Sequence, residues 1–155
     1  NSKKYHSFES LHICRLFFLY IWVRYNAHFM EKILVVEDDK ISRRIIREIL
    51  SRSGYEVFEA EDGAQGLEAF KANKPDLVLT DYQMPVMNGY EAAKAIRQST
   101  HPQANTIPIL AMTANAFTQD IQNSLESGMN GHIAKPISIE AISKAVHAVM
   151  TDAFF

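Results

Sequence analysis

The chain predicts a doubly wound α/β sandwich, a five-stranded parallel sheet with helices on both faces. Three observations carry that prediction. Short runs rich in Val, Ile and Leu recur along the sequence, each is followed by apolar residues at helical spacing, and the alternation repeats five times with no long-period repeat or low-complexity segment. Continuous apolar strands joined by helical crossovers belong to parallel sheets covered on both sides. At 155 residues the chain has about one domain's worth of length, enough for one sizeable core.

In order, Ile33, Leu34, Val35 and Val36 read as a buried strand. Ile41, Ile45, Ile46, Ile49 and Leu50 follow as a helical stripe, assigned to the core and ending near Gly54. The next strand is expected over 56–60 with a helix over 64–72, then a strand over 76–80 with a helix over 90–98. Between those last two, Met84-Pro85-Val86-Met87-Asn88-Gly89 reads as a turn launching the helix, with Asn-Gly supplying positive φ. A strand over 107–112, a helix over 117–127 and a short strand over 132–134 precede a last helix marked by Ile142, Ala145, Val146 and Val149. Met112 and Met129 are assigned to the core, His101 and His147 to the surface.

Composition narrows the function classes. With 47% hydrophobic and 22% charged residues and a formal charge of −2, the chain resembles neither a disordered protein nor a nucleic-acid binder. The single cysteine, Cys14, leaves no internal disulfide, so a reducing compartment suits it and the cytoplasm is the default location.

Residues 1–29 differ from the rest. They hold eight of the sixteen aromatics and three of the six histidines and carry a charge of about +3, leaving about −5 for 30–155. Their apolar run, LFFLYIWV at 16–23, falls far short of the roughly 20 residues of a membrane helix. No small-x-small cleavage site follows, which argues against a signal peptide. An upstream linker, a leader foreign to the domain or a misassigned start before Met30 is favoured over an interfacial or partner-binding helix. The expected division is 1–29 as an atypical leader or upstream segment and 30–155 as the domain.

Open α/β sheets bind ligands at the carboxyl ends of their strands. Those ends carry Glu37-Asp38-Asp39, Asp81, Thr113 and Lys135-Pro136. Crowded carboxylates resist ionisation unless a cation offsets their repulsion. A hard divalent ion is implied, and Mg²⁺ suits best because it takes one or two carboxylates and keeps positions for water and phosphate oxygens. Lys135 and Thr113 would then serve phosphate oxygens, as a point charge and a hydrogen-bond donor. Neither a GxxxxGK[ST] loop nor a GxGxxG after a strand is present, so nothing cradles a nucleotide. A phosphoryl group would come and go alone, and carboxylate nucleophiles that form aspartyl phosphate are known chemistry. Asp39 reads as helix-start chemistry.

ILVVEDD at 33–39, LVLTDYQMPVMNGYE at 77–91, ILAMTANA at 109–116 and GHIAKPI at 131–137 together resemble the receiver domain of two-component response regulators, over about 30–150. The resemblance implies a flavodoxin-like sheet of order 2-1-3-4-5. It implies Asp81 as phosphoacceptor, attacking a phosphohistidine on a histidine kinase or histidine-phosphotransfer domain. Mg²⁺ would be held by Asp38 and Asp81, by Glu37 directly or through water, and by the backbone carbonyl of Gln83. Thr113 and Lys135 would complete the switch, Lys135-Pro136 is the peptide usually cis in the family, and His132 stands where relatives have a switch aromatic. Gln83 and Asn115 hold positions that tune acyl-phosphate hydrolysis, and weak autophosphatase activity is implied.

MTANAF with GMNGHIAKPI is most similar to receivers of hybrid sensor histidine kinases, a stand-alone regulator being the other origin. No DNA-binding helix pair, effector domain or membrane span is expected in this chain. The competing class is a pseudo-receiver that signals by constitutive binding. A flavodoxin-like cofactor binder lacks its phosphate loop, because three negative charges follow strand one.

Overall fold

The computed structural model describes residues 32–114 and 118–152, apart from the side chains at 118, 120, 147 and 150–152. The expectations for 1–29, for Asn115, for the first residue of the helix over 117–127 and for the His147 side chain lie outside the described residues. The elements are β1 Lys32–Val36, α1 Lys40–Arg52, β2 Glu56–Ala60, α2 Gly63–Asn73, β3 Leu77–Asp81, α3 Gly89–Gln98, β4 Ile109–Thr113, α4 Thr118–Glu126, β5 Gly131–Ala134 and α5 Ile139–Asp152. All strand pairs are parallel and the sheet order is β2-β1-β3-β4-β5. The fold is the flavodoxin-like α/β sandwich that the sequence predicts.

Position in the sheet explains the strand compositions. β3 (LVLTD) and β4 (ILAMT) are buried at every residue because they have a strand on each side and helices on both faces. At the edge, β2 alternates more openly and buries only Ala60. Leu34, Val36, Val78, Ile109 and Ala111 pack with Phe70 of α2 and Ala93 and Ile96 of α3 in one core cluster. Met112 and Met129 are buried, as expected.

Three local expectations need correction. The α1 stripe is not all core, for Ile41 is 71% and Ile45 54% exposed. The buried line is Arg43, Ile46 and Leu50. At 3.6 residues per turn, Ile41 and Ile45 fall roughly on the opposite side of the helix. β4 begins at Ile109, two residues later than predicted. Ile107 is buried, but its N–H is spent on the Gln103 carbonyl at 2.9 Å and Pro108 has no N–H to donate.

Gly89 is not a positive-φ residue; among the described glycines those are Gly54 (φ 92°) and Gly128 (φ 88°). Glycine is needed at 89 for close approach, since an added Cβ would run into the Asp81 carbonyl oxygen and lie 3.1 Å from Thr80 Oγ1. Asn88 instead caps α3. Its side chain accepts from Glu91 N at 2.8 Å while Glu91 accepts from Asn88 N at 3.2 Å, a capping box.

At the amino ends of the strands, Arg97 of α3 ties three segments together. Its guanidinium donates to the carbonyls of Ala104 (2.9 Å), Ile107 (2.7 Å) and Gly128 (2.8 Å) and to Asn130 Oδ1 (2.8 Å).

Candidate functional site

Parallel register brings the charged residues to one rim. Val36 pairs with Thr80, so Glu37 and Asp81 stand one step further on neighbouring strands. Asp81 pairs with Met112, and Met112 with Ile133, two residues before Lys135. Directly paired residues share a sheet face and alternate residues return to it. Glu37, Asp81 and Lys135 therefore issue from the same side of the sheet. Asp38 follows in the β1–α1 turn.

The side chains meet as that register implies. Glu37, Asp38 and Asp81 each offer a carboxylate oxygen, all within 4.8 Å of one another. Glu37 is 1% and Asp81 8% exposed, whereas Asp38 is open to solvent. Lys135 Nζ bridges them, 2.8 Å from Glu37 Oε2 and 3.3 Å from Asp81 Oδ2. Backbone amides add donors: Asp39 N to Glu37 Oε1 at 3.2 Å and Gln83 N to Asp81 Oδ1 at 3.4 Å.

Electrostatics follow from two buried carboxylates sharing one lysine, with a third acid beside them. Burial pushes the Glu37 carboxyl up from its ordinary range; the Lys135 hydrogen bond opposes that rise and the Asp81 charge adds to it. Burial would lower the Lys135 ammonium, but the hydrogen bond to Glu37 and the charge of Asp81 outweigh it and the net movement is upward. Burial is the main cause for Glu37, whereas Lys135 moves up because the neighbouring acids outweigh its burial.

The other predicted residues are placed by the strands and turns that carry them. Thr113 ends β4, one residue past the partner of Asp81, and is 7% exposed; its carbonyl accepts from Lys135 N at 2.8 Å. His132 lies in β5 opposite Ala111, exposed on the edge strand, three residues from Lys135. The Lys135-Pro136 peptide is cis. Asp39 is the N-cap of α1, its carboxylate accepting from Ser42 N at 3.1 Å.

Sequence reasoning missed Arg43. Only 8% exposed, it donates to the Glu37 carbonyl at 2.7 Å, directly behind the acidic turn. The available signal was its place three residues before Ile46 and seven before Leu50, an arginine on an apolar helical line.

A five-stranded parallel sheet of order 2-1-3-4-5 puts the chain in the flavodoxin-like class of doubly wound α/β proteins, and its carboxyl rim carries acids and a lysine. Within it, the chain belongs to the response regulator receiver domain family, whose model matches residues 33–147. Receiver domains are signalling switches of two-component systems that work with histidine kinases or phosphotransfer proteins.

The sensor histidine kinase RcsC of Salmonella typhi is 38% identical over 114 residues, 74% of this chain but 12% of the kinase, so the chain spans about an eighth of that relative. The chemotaxis protein CheY4 of Vibrio cholerae superposes with a TM-score of 0.73 at 32% identity, covering 77% of this chain and 98% of that one. The receiver domain of the Pseudomonas aeruginosa sensor histidine kinase PA1611 gives a TM-score of 0.70 at 32% identity, covering 78% and 98%, and holds a magnesium ion in its active-site cleft. Among the described residues no helix is long and apolar enough to cross a membrane.

Proposed function

We propose that this domain is the phosphoacceptor of a two-component phosphorelay, with Asp81 receiving a phosphoryl group from a phosphohistidine. The observation that carries the proposal is the convergence of the Glu37, Asp38 and Asp81 carboxylates on one spot straddled by Lys135. An Asp81 oxygen attacks phosphorus, the new O–P bond forms as the P–N bond breaks, and the imidazole leaves with its electron pair.

The donor set fits Mg²⁺: every candidate ligand is oxygen, and exposed Asp38 leaves room for water. Asp38, Asp81 and the Gln83 carbonyl would hold it. Glu37, both of whose oxygens already accept hydrogen bonds, would act through water. Bound there, the ion offsets the charge that builds on the phosphoryl oxygens. Lys135 would turn from the acids to a phosphoryl oxygen while Thr113 donates to another, shifting a pre-existing equilibrium between binding surfaces that involves His132. Hydrolysis of the acyl phosphate supplies weak autophosphatase activity.

The similarity to the sensor histidine kinases RcsC and PA1611 favours a receiver of a hybrid histidine kinase, and CheY4 illustrates the stand-alone alternative; the cytoplasm is proposed as its location from the single cysteine. The test is mass spectrometry after treatment with acetyl phosphate and Mg²⁺. Modification at Asp81, absent from Asp81→Asn, supports the phosphorelay. Label on another residue of Asp81→Asn sinks the assignment, and Mg²⁺ binding without label points to a pseudo-receiver.

A further inference from the structure

We propose that Arg43 is a positioning residue for the acidic turn: it fixes the peptides at 37–38 so that Glu37 and Asp38 present their carboxylates toward a common cation. This rests on reading the carboxyl rim as a Mg²⁺ site. The side chain is almost wholly removed from solvent, in a line otherwise formed by Ile46 and Leu50. Its shortest bond is not to an acid. Nη1 donates to the Glu37 carbonyl at 2.7 Å, with a longer contact to the Asp38 carbonyl at 3.4 Å, while Nη2 meets Glu61 Oε1 at 3.1 Å and Nε lies 3.6 Å from Glu59 Oε1. One planar guanidinium thus joins the turn after β1 to the end of β2, where Glu37 N already donates to the Ala60 carbonyl at 3.1 Å.

Arg47, one turn along the same helix, shows what a plain ion pair looks like here. It reaches the same Glu59 at 3.5 Å but is 56% exposed, and among the described residues it makes no hydrogen bond to the turn. Charge alone gives Arg43 no reason to help a metal. A cation behind the ligands repels Mg²⁺, and Glu59 and Glu61 offset that repulsion. What remains is geometry. The carbonyls of 37 and 38 are held by Arg43, and the carboxylates of the same residues converge on Asp81.

The sign of the metal response separates positioning from charge. In the full chain, Mg²⁺ affinity is measured by titration calorimetry, alongside metal-free melting temperature and the amide NMR shifts of residues 37–39. Arg43→Gln is expected to weaken Mg²⁺ binding roughly 10–100-fold, the usual effect of losing a group that orients metal ligands, and to shift those amides before any metal is added. Arg43→Lys, which can reach one carbonyl but cannot span to β2, should weaken binding less. Arg47→Gln removes the same charge from the same Glu59 and should leave affinity unchanged or slightly higher.

Wild-type affinity in Arg43→Gln, or equal weakening in Arg43→Gln and Arg47→Gln, overturns the positioning role. If Arg43→Gln does not fold, Arg43→Lys decides: weaker Mg²⁺ binding at a near-normal melting temperature supports the role, and unchanged binding overturns it. A folded wild-type chain that binds no Mg²⁺ overturns the metal site itself, an outcome visible before any variant is made.

Discussion

Lys135 serves two acids at once, and that fixes what its removal should do. A lysine 2.8 Å from Glu37 and 3.3 Å from Asp81 offsets part of the rim's negative charge and competes with any cation that enters. Lys135→Ala is therefore expected to tighten Mg²⁺ binding by about tenfold, a modest share of the Coulomb repulsion between charges at such separations. It should leave phosphoryl uptake largely intact while uncoupling the conformational response, read as loss of the amide shifts around Thr113 and His132 on beryllofluoride addition. Glu37 supplies a pH test. Its carboxyl takes up a proton above the ordinary glutamate range, near 4.3, because burial disfavours its charge. Mg²⁺ affinity should begin to fall at a correspondingly higher pH as acid is added, and Glu37→Gln should move that onset downward. The acids, the lysine and the threonine were legible because each ends a strand, where parallel topology makes neighbours of residues far apart in sequence. Arg43 was legible only as an arginine on an apolar helical line; that its guanidinium meets a backbone carbonyl is a tertiary fact the stripe does not show.

Helices and turns carry their own tests. Asn88→Ala removes one half of the α3 capping box and should cost about 1 kcal/mol in denaturant unfolding. Gly89→Ala should cost roughly 1–3 kcal/mol, the range for forcing atoms into filled space, and should disturb Asp81 because the clash falls on its carbonyl oxygen. At α1, hydrogen bonds from Ser42 hold the Asp39 carboxyl below its ordinary range. A group with a depressed folded value stabilises above its unfolded value, near 3.9, and loses that contribution as pH falls through the folded one. Wild type should lose α1 stability over that window, seen by hydrogen exchange, whereas Asp39→Asn keeps a cap that does not titrate. Strand and helix order was readable from alternating runs. Which side of α1 faces in was not, because five apolar residues and an arginine exceed one stripe, and the answer depended on what β1 and β2 offered opposite. Asn88-Gly89 misled for a related reason: the same dipeptide serves a positive-φ turn or a capped helix start, and the nearness of Asp81 is a tertiary fact.

For the whole molecule, the layered sheet was legible from five apolar runs, whereas its strand order came from resemblance alone. The Arg97 tie was not foreseen, since it joins Ala104, Ile107, Gly128 and Asn130 through carbonyl and amide oxygens that leave no pattern in sequence. Arg97→Ala leaves several sheltered acceptors without a donor and should cost at least about 2 kcal/mol, since each unsatisfied buried group carries roughly 1–3 kcal/mol. We also propose that residues 30–155 fold independently of 1–29. A chain starting at Met30 should match the melting temperature and Mg²⁺ affinity of the full chain, and loss of cooperative melting would refute that division.

The strand order also sets when the rim acquires its charges. Glu37, Asp38 and Asp81 come from the first and third strands, adjacent in the sheet, while Lys135 follows the fifth at the far edge. Any partly assembled chain in which β1–β3 have joined and β5 has not carries three converging acids with no lysine of its own among them. During synthesis from the amino end, the acidic half of the rim leaves the ribosome before its counter-charge does, and docking of β5 both completes the sheet and supplies the positive charge that partly offsets those acids.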